Sequence, residues 1–423
     1  MINLYLLDGV QAATWWPALA ALDRALAESD VAAAAAAHAG VARALVADGH
    51  PDLAAAVSEA VLFGPGTWST HVGRAVQGGV DVLAAGGVVV AATADLRALA
   101  GLLRRDWQRA CEALVGRPLP SWRALRSSDG DDRSAAVAVE RLRSALQQTE
   151  PAAALAVLAE TARVAGAGPL ARHEAYAWDG ARLVGVAAPA SARLDALVGV
   201  ERQLEPFLAN VEAFLAGRPA LATLLYGPRG SGKSTTVRGL LERYAARGLR
   251  LVEVPLAHLG SLPQVLEAIG RLPRPVVLML DDLAFDEGDE RLRPLKSLLE
   301  GSLLTRRERV LVVATSNRRH LVRERHGDRP DPLDADVHAW DTHHDRLALA
   351  DRFGLTITFP GADRRAYLTI VRSLAEAAGL AVGTALEQRA LHFAAWGNGY
   401  SGRTARQFVD RERADLPEPD AAH

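Results

Sequence analysis

Apolar residues follow two different spacings along the chain. Up to about residue 170, alanine and leucine recur at helical intervals, as in residues 96–114, which predicts a helical domain. From residue 221 onward, short apolar runs alternate with helical segments, the pattern of a parallel α/β sheet. The last part of the chain returns to helical spacing. The predicted strands are residues 221–226, 249–254, 276–280, 310–314 and 355–359.

Turn-forming residues suggest where these parts divide. The Gly-Ala-Gly-Pro stretch at 166–169 separates the alanine-rich part from the rest, and residues 173–178 then alternate as a short strand does. Near the end of the chain, Thr384 begins a capping box and Gly379 ends the helix before it. We expect three domains: a helical domain of unknown role over 1–170, an α/β core over 171–360 and a small helical domain over 361–423.

Composition narrows the class of protein. The chain has 423 residues, 49% of them apolar, and its net charge is −2 at pH 7, which argues against a wholly basic nucleic-acid-binding coat. Its one cysteine, Cys111, cannot form an internal disulfide. The longest uncharged apolar run, residues 82–94, is too short to cross a bilayer, and no secretory leader is recognisable. We therefore expect a cytoplasmic protein with no membrane partner.

The strongest motif is the sequence GPRGSGKS, which follows the apolar strand predicted at 221–226 and precedes a helical run. It fits G-x-x-x-x-G-K-[ST], in which glycines let successive backbone N–H groups face a phosphate. Lys233 would reach the β- and γ-phosphates, and the Ser234 hydroxyl would bind Mg²⁺. ATP and Mg²⁺ are thus the predicted ligands. The predicted phosphate-binding residues are Gly227, Pro228, Arg229, Gly230, Ser231, Gly232, Lys233, Ser234 and Thr235.

Polar residues end the next two apolar strands. Residues 276–280 lead into Asp281, which would hold the metal, and Asp282, which would orient or deprotonate the attacking water. The strand at 310–314 leads into Asn317, which would lie near the γ-phosphate and position that water. Taken alone, Asn317 is more simply a turn residue, but the order of strands and motifs favours the functional interpretation.

With these motifs in place, residues 170–412 resemble AAA+ ATPases. They resemble in particular a bacterial family of AAA+ ATP-binding proteins of unknown function, distantly akin to helicase loaders and Holliday-junction motor subunits. The resemblance rests on several blocks in the expected order: LVGVERQ at 197–203, LDDLAF at 280–285, ATSNRRHL at 314–321, DRFGL at 351–355 and SGRTARQF at 401–408.

The resemblance implies a fold and further roles. The fold would be a five-stranded parallel P-loop NTPase sheet of order 5-1-4-3-2, with a C-terminal helical lid and a separate all-α N-terminal domain. Val198 and Gly199 would close over adenine. Arg352 would be an arginine finger that reaches a neighbouring subunit's γ-phosphate, which implies a homo-oligomer. Arg403 would act from the lid on its own subunit's nucleotide, with Arg406 the less favoured candidate.

The chain departs from the AAA+ pattern at the catalytic acid. Many AAA+ motors have Glu where this sequence has Asp282, and the shorter side chain sets the carboxylate back by about one C–C bond. Slow hydrolysis, or a nucleotide-dependent switch, is therefore an alternative to a motor. Glu287 lies nearby but is better explained as part of a solvated acidic loop. Residues 326–345, with His343 and His344, fit either an insertion loop or, less well, a metal site.

Three biological roles are compatible with this sequence. The first is a motor or loader that acts on nucleic acid, for which basic residues cluster at 291–309 and at 318–325. The second is a remodelling or assembly scaffold whose helical N-terminal domain recruits a protein client. The third, a small-molecule kinase with the same phosphate-binding loop, is disfavoured by the lid and finger blocks. The 46 arginines and two lysines of this chain make any arginine-rich stretch weak support for nucleic-acid binding.

Overall fold

The structure, a computed structural model, describes residues 2–122, 133–148, 151–186, 189, 193–285, 289–300, 309–317, 352–396 and 399–414. Within these residues the chain forms two compact units, residues 1–173 with short segments at 184–188 and 267–274, and the remainder of the chain. Most of the predicted α/β core and the predicted lid thus fall in the second unit. The division into three domains stays a prediction.

The first unit is helical. Its helices pack around buried Trp15, Leu22, Leu45 and Leu62, so the aromatic residues of this part serve the core. The described helices are α1 Trp16–Glu28, α2 Val31–Ala47, α3 Leu53–Phe63, α4 Thr67–Gly78, α5 Gly86–Arg104, α6 Trp107–Val115, α7 Arg133–Leu146 and α8 Pro151–Ala165.

The continuous helical spacing over 96–114 does not show that this stretch contains parts of two helices. The first helix, α5, ends at Arg104, and α6 begins at Trp107 after Asp106, whose carboxylate accepts the Arg109 N–H at 3.0 Å. An Asp at this position satisfies an N–H that has no partner within the helix, so it favours a new helix start. Apolar spacing alone cannot reveal such a break, because both helices bury residues with the same periodicity.

One described helix, α5, is long and apolar enough to meet the length and composition criteria for a membrane span. The core helix of a globular domain meets the same criteria. This helix contributes Leu96 and Leu99 to the helical core. It also carries Asp95, which is 1% exposed and accepts hydrogen bonds from the backbone N–H groups of Tyr5, Leu6 and Leu7 at 2.7–3.1 Å.

We expect Asp95→Ala to lower the free energy of unfolding of the helical unit by about 3 kcal/mol, because it leaves three N–H groups, two of them in buried residues, without their charged acceptor. Urea unfolding followed by tryptophan fluorescence measures this, since five of the eight tryptophans precede residue 123. Glu28→Ala, at an exposed position near the end of α1, is the control and should change stability by less than about 0.5 kcal/mol. Equal stability of the two variants would contradict the prediction.

The second unit contains nearly all of a parallel sheet. The described strands run in the order β2-β1-β4-β5-β6-β3-β7, and every neighbouring pair from β1 to β7 is parallel. These strands are β1 Ala175–Trp178, β2 Leu183–Val186, β3 Thr223–Tyr226, β4 Arg250–Glu253, β5 Val276–Leu280, β6 Val310–Ser316 and β7 Leu355–Thr358.

The strand order confirms the predicted fold class and corrects its strand count. The five predicted core strands lie in the predicted order, with the phosphate-binding loop after β3, which lies between β6 and β7. The sheet has seven strands in the described chain rather than five, because β1 pairs with β4 and β2 with β1. The alternation at 173–178 indicated β1 but did not indicate that it extends the core sheet.

Helices accompany the strands of this unit and form its lid. Three C-terminal helices pack around buried Tyr367, Val371 and Phe408, and the Tyr367 hydroxyl donates to the Ala390 carbonyl at 3.0 Å. The remaining described helices are α9 Glu201–Leu215, α10 Lys233–Tyr244, α11 Leu262–Gly270, α12 Leu292–Glu300, α13 Arg364–Ala377, α14 Thr384–Trp396 and α15 Gly402–Ala414.

Candidate functional site

The carboxyl ends of three adjacent strands place the predicted polar residues together. Strand β6 lies between β5 and β3, with Leu280 paired to Ala314 and Tyr226 paired to Ser316. The residues that follow β5, β6 and β3 therefore emerge at one edge of the sheet. They line a cleft of about 600 Å³, a size typical of a site for a small organic ligand.

The backbone of the loop between β3 and α10 needs its glycines. A Cβ on Gly227 would lie 2.2 Å from the Phe359 carbonyl oxygen, and Gly230 and Gly232 have φ of +74° and +96°. The helix that follows begins at Lys233 without a side-chain cap. Because the first N–H groups of a helix have no intrahelical partner, this loop offers several backbone donors to an anion.

Lys233 is held inside this loop. Its ammonium donates to the carbonyl oxygens of Gly227 at 2.7 Å and Pro228 at 2.9 Å, and to Asn317 Oδ1 at 3.1 Å. Burial lowers the pKa of Lys233, while the negative charges of Asp282 and Asp281 oppose that shift. The side chain thus places a positive charge at the bottom of the cleft.

Asp281 is the centre of a hydroxyl cluster. Its Oδ1 accepts from Ser234 Oγ and from Thr315 Oγ1, each at 2.6 Å. The motif order predicted that Ser234 and Asp281 meet, and the structure brings them together. Thr315 was not predicted from the sequence, because it lies two residues before Asn317 and is one of several β-branched residues of β6. A hydroxyl and a carboxylate at this separation are hard oxygen ligands of the kind that Mg²⁺ takes.

Asp282 lies at a strained turn. Its φ is +53°, left-handed for a non-glycine residue, and its N–H donates to Thr315 Oγ1 at 2.9 Å. Asp tolerates this conformation better than most residues, which gives a local reason for Asp rather than Glu here. The Asn317 amide donates to Asp282 Oδ1. Asn317 therefore links the predicted water-activating acid to Lys233.

Arg238 and Glu253 join the site without having been predicted. Arg238 lies on α10, five residues after Lys233, and its Nη2 contacts Glu253 at 3.2 Å and Asp281 Oδ2 at 3.3 Å. Glu253 is the last residue of β4, so it emerges at the same edge of the sheet as Asp281. The strand-end position of Glu253 could have indicated it from sequence. Arg238 carries no comparable indication among 46 arginines.

The lid and the segment before α9 form the other walls of the cleft. Val198 and Gly199 line it, together with Leu197 and, from α13, Ile370 and Leu374. These side chains give one end of the cleft an apolar character.

The start of α15 packs on the phosphate-binding loop. Gly402 N–H donates to the Gly230 carbonyl at 3.0 Å, and a Cβ on Gly230 would lie 3.3 Å from Arg403 Cβ. Arg403 and Arg406 both line the cleft and are both exposed. The structure thus brings both lid arginines to the predicted site. It does not separate the favoured candidate from the less favoured one.

Arg352, the predicted arginine finger, lies outside the cleft. It precedes β7, and β7 runs parallel to β3 with Leu355 opposite Thr223, so Arg352 is at the edge of the sheet opposite to Gly227. Its Nη1 contacts Glu300 Oε1 at 2.8 Å, and it does not line the cleft. Within one chain, the predicted finger and the phosphate-binding loop are not brought together.

Several sequence hypotheses fall outside the described residues. These are Glu287, the histidine-rich stretch 326–345, Asp351 of the finger block, and the basic residues 306, 307 and 318–325. Of the first basic cluster, Arg291, Arg293, Lys296 and Arg309 are described, and the charge of Arg291 is paired with Asp289 by a bidentate contact. This pairing weakens the case for that cluster as a nucleic-acid surface.

A nucleotide fits the residues of this cleft. Ser231 Oγ is buried and has no hydrogen-bond partner in the described protein, so it is a donor available to a phosphate. Arg229, Thr235 and the backbone of the loop line the same cleft. A family model described as a protein of unknown function (DUF815) matches residues 171–416, more than half of the chain and the whole of this site. This chain belongs to the DUF815 family. The AAA+ resemblance of this DUF815 member is confirmed at the level of the fold by the strand order around the phosphate-binding loop.

Solved structures similar to this DUF815 chain include the Holliday junction branch migration motor RuvB of Thermotoga maritima, at 15% identity over 52% of this chain, with a TM-score of 0.37. The Orc1 protein of Aeropyrum pernix in complex with DNA matches 52% of this chain at 17% identity, with a TM-score of 0.37. A DNA replication initiation factor matches 54% at 15% identity, with a TM-score of 0.34. The matches cover 64%, 59% and 65% of those chains, less than two thirds of each.

Proposed function

We propose that this DUF815 protein binds ATP with Mg²⁺ and hydrolyses it to drive a conformational change or an assembly step. The observation that carries the proposal is one connected network of hydrogen bonds. Lys233 contacts Asn317, and Asn317 contacts Asp282. Thr315 Oγ1 accepts from the Asp282 N–H and donates to Asp281, which also accepts from Ser234. Thr315 aside, these are the side chains predicted from sequence to bind the phosphates, hold the metal and position the water, and the segments after three separate strands supply them.

Each group has a distinct task in this proposal. The loop N–H groups and Lys233 bind and orient the β- and γ-phosphates. Ser234 and Asp281 would hold Mg²⁺, which neutralises phosphate charge when bound. Asp282 accepts a proton from the attacking water, and the Asn317 amide fixes the orientation of the Asp282 carboxylate.

The walls of the cleft suit the rest of a nucleotide. Leu197, Val198, Ile370 and Leu374 would pack against a purine ring, which offers apolar faces. Arg403 or Arg406 would contact the phosphates from the lid, so that nucleotide binding would draw α15 further onto the loop. Such a lid movement is the conformational output of the proposed cycle.

A slow, switch-like ATPase is the second candidate. Two observations favour it: Asp282 is shorter than the usual Glu, and its carboxylate is engaged by Asn317. In that case bound nucleotide would control a scaffold, and residues 1–170 would recruit a protein client. Stimulation of turnover by single-stranded DNA would instead favour a loader that acts on nucleic acid. We further propose that the protein acts in the cytoplasm as a homo-oligomer.

Replacing Asp282 by Asn tests the proposed hydrolysis. We expect kcat for ATP to fall about 100-fold, because the amide cannot accept the proton of the attacking water, while ATP affinity changes by less than about threefold. Phosphate release and calorimetry measure the two quantities. Glu290→Gln, an exposed acid on the same segment after β5, is the matched control and should match the wild type. Hydrolysis by Asp282→Asn at the wild-type rate would overturn the assignment of Asp282.

A further inference from the structure

Arg238 joins two carboxylates that lie on different strands. One nitrogen, Nη2, contacts Glu253 Oε1 at 3.2 Å, Glu253 Oε2 at 3.3 Å and Asp281 Oδ2 at 3.3 Å. The contacted oxygens of Glu253 and Asp281 are therefore no more than about 6.5 Å apart. Both acids are only partly exposed, so solvent screens their mutual repulsion incompletely.

The oxygens around Arg238 would suit a divalent cation if the guanidinium were absent. Glu253 and Asp281 supply carboxylates, and Ser234 supplies a hydroxyl that contacts Asp281 Oδ1. Two carboxylates and neutral oxygens are a common protein contribution to Mg²⁺ or Mn²⁺ binding. Arg238 places a permanent positive charge in the same position, since arginine stays protonated.

We propose that Arg238 is an internal counter-ion of the metal site, which makes entry of a divalent cation depend on nucleotide. In the nucleotide-free protein the guanidinium neutralises the Glu253–Asp281 pair and repels a metal ion. A bound triphosphate adds enough negative charge to offset that repulsion. Arg238 is thus a positioning residue: it holds Asp281 Oδ2 and it prevents metal binding before ATP arrives. The inference rests on the proposed function, because it concerns the same metal site.

Mn²⁺ binding to the nucleotide-free full chain tests this role, with electron paramagnetic resonance of free Mn²⁺ as the readout. The wild type should bind Mn²⁺ only weakly. Arg238→Met keeps the aliphatic length and removes the charge, so we expect its Mn²⁺ affinity to rise at least about tenfold. Arg238→Lys keeps the charge and should bind as weakly as the wild type. Adding Glu253→Gln to Arg238→Met should abolish the gain.

Two control measurements distinguish an effect of the Arg238 charge from an effect of misfolding. Arg243→Met, on the same helix but outside the cleft, should leave Mn²⁺ binding unchanged. Thermal unfolding should be cooperative in every variant. Equal Mn²⁺ affinity of the wild type and Arg238→Met would overturn the inference, as would a gain in Arg238→Lys or one that survives Glu253→Gln.

Nucleotide binding, measured separately with ADP in EDTA, distinguishes this inference from the proposed function. If Arg238→Met gains Mn²⁺ affinity but the chain binds no nucleotide, the role of Arg238 as counter-ion of Glu253 and Asp281 is supported. The proposed ATPase function is then overturned. Nucleotide binding without any gain would overturn the role of Arg238 alone.

Discussion

Replacement of Lys233 by Met is expected to lower the affinity for ATP at least about 100-fold, and hydrolysis with it. Lys233 is 6% exposed, and its ammonium donates three hydrogen bonds, two to carbonyl oxygens of the loop and one to Asn317, so it is positioned before any phosphate arrives. Charge-assisted hydrogen bonds to phosphate are each worth about 1.5–3 kcal/mol, and Lys233 would exchange its carbonyl partners for two phosphates. Met preserves the volume of the side chain but provides no donor.

Calorimetry with ATP measures the loss, and thermal unfolding separates it from misfolding. Lys233→Met leaves the carbonyl oxygens of Gly227 and Pro228 and Asn317 Oδ1 without their charged donor, so without nucleotide it should unfold cooperatively but at a somewhat lower temperature than the wild type. It should also lose the rise in unfolding temperature that ATP causes in the wild type. Lys296→Met removes the only other lysine and should bind ATP normally. ATP binding by Lys233→Met at wild-type affinity would overturn the proposed site.

The sequence was most informative where local chemistry and strand order agree. A glycine-rich loop between an apolar strand and a helix requires a particular backbone, and the structure has the positive φ values at Gly230 and Gly232 that this loop needs. The strand ends at Asp281 and Asn317 converge because parallel neighbours present their carboxyl ends at one edge of the sheet. Knowing the order of the core strands was enough to place these residues together.

The remaining parts of the site depend on contacts between distant residues that have no local pattern. Arg238 meets Glu253 and Asp281 only because α10 packs beside the ends of β4 and β5. Thr315 points to Asp281 only because β6 pairs with β5 in one register. The added strands β1 and β2 have four residues each, too few for alternation to show that they join the core sheet. Each of these features follows from long-range packing rather than from spacing along the chain.

Replacement of Arg352 by Ala is expected to lower kcat about 1,000-fold with little effect on ATP affinity, if a neighbouring subunit supplies this arginine to the site. Arginine fingers stabilise charge that develops during phosphoryl transfer and contribute on the order of 10³–10⁵ in rate. The sheet register disfavours action in cis, because Arg352 precedes β7 at the edge opposite to Gly227. Glu300→Gln removes the ion-pair partner of Arg352 and leaves the arginine, so it should retain activity.

Mixing two inactive variants distinguishes action in trans from action in cis. A chain with Arg352→Ala has an intact nucleotide site, and a chain with Lys233→Met has an intact Arg352. In a mixed oligomer the second chain can supply its arginine to the first, so mixing should restore measurable phosphate release that increases with protein concentration. Each variant alone should stay inactive over the same concentration series. If Arg352 acts within its own chain, or only stabilises α12 through Glu300, no mixture recovers activity, and the shared site is excluded.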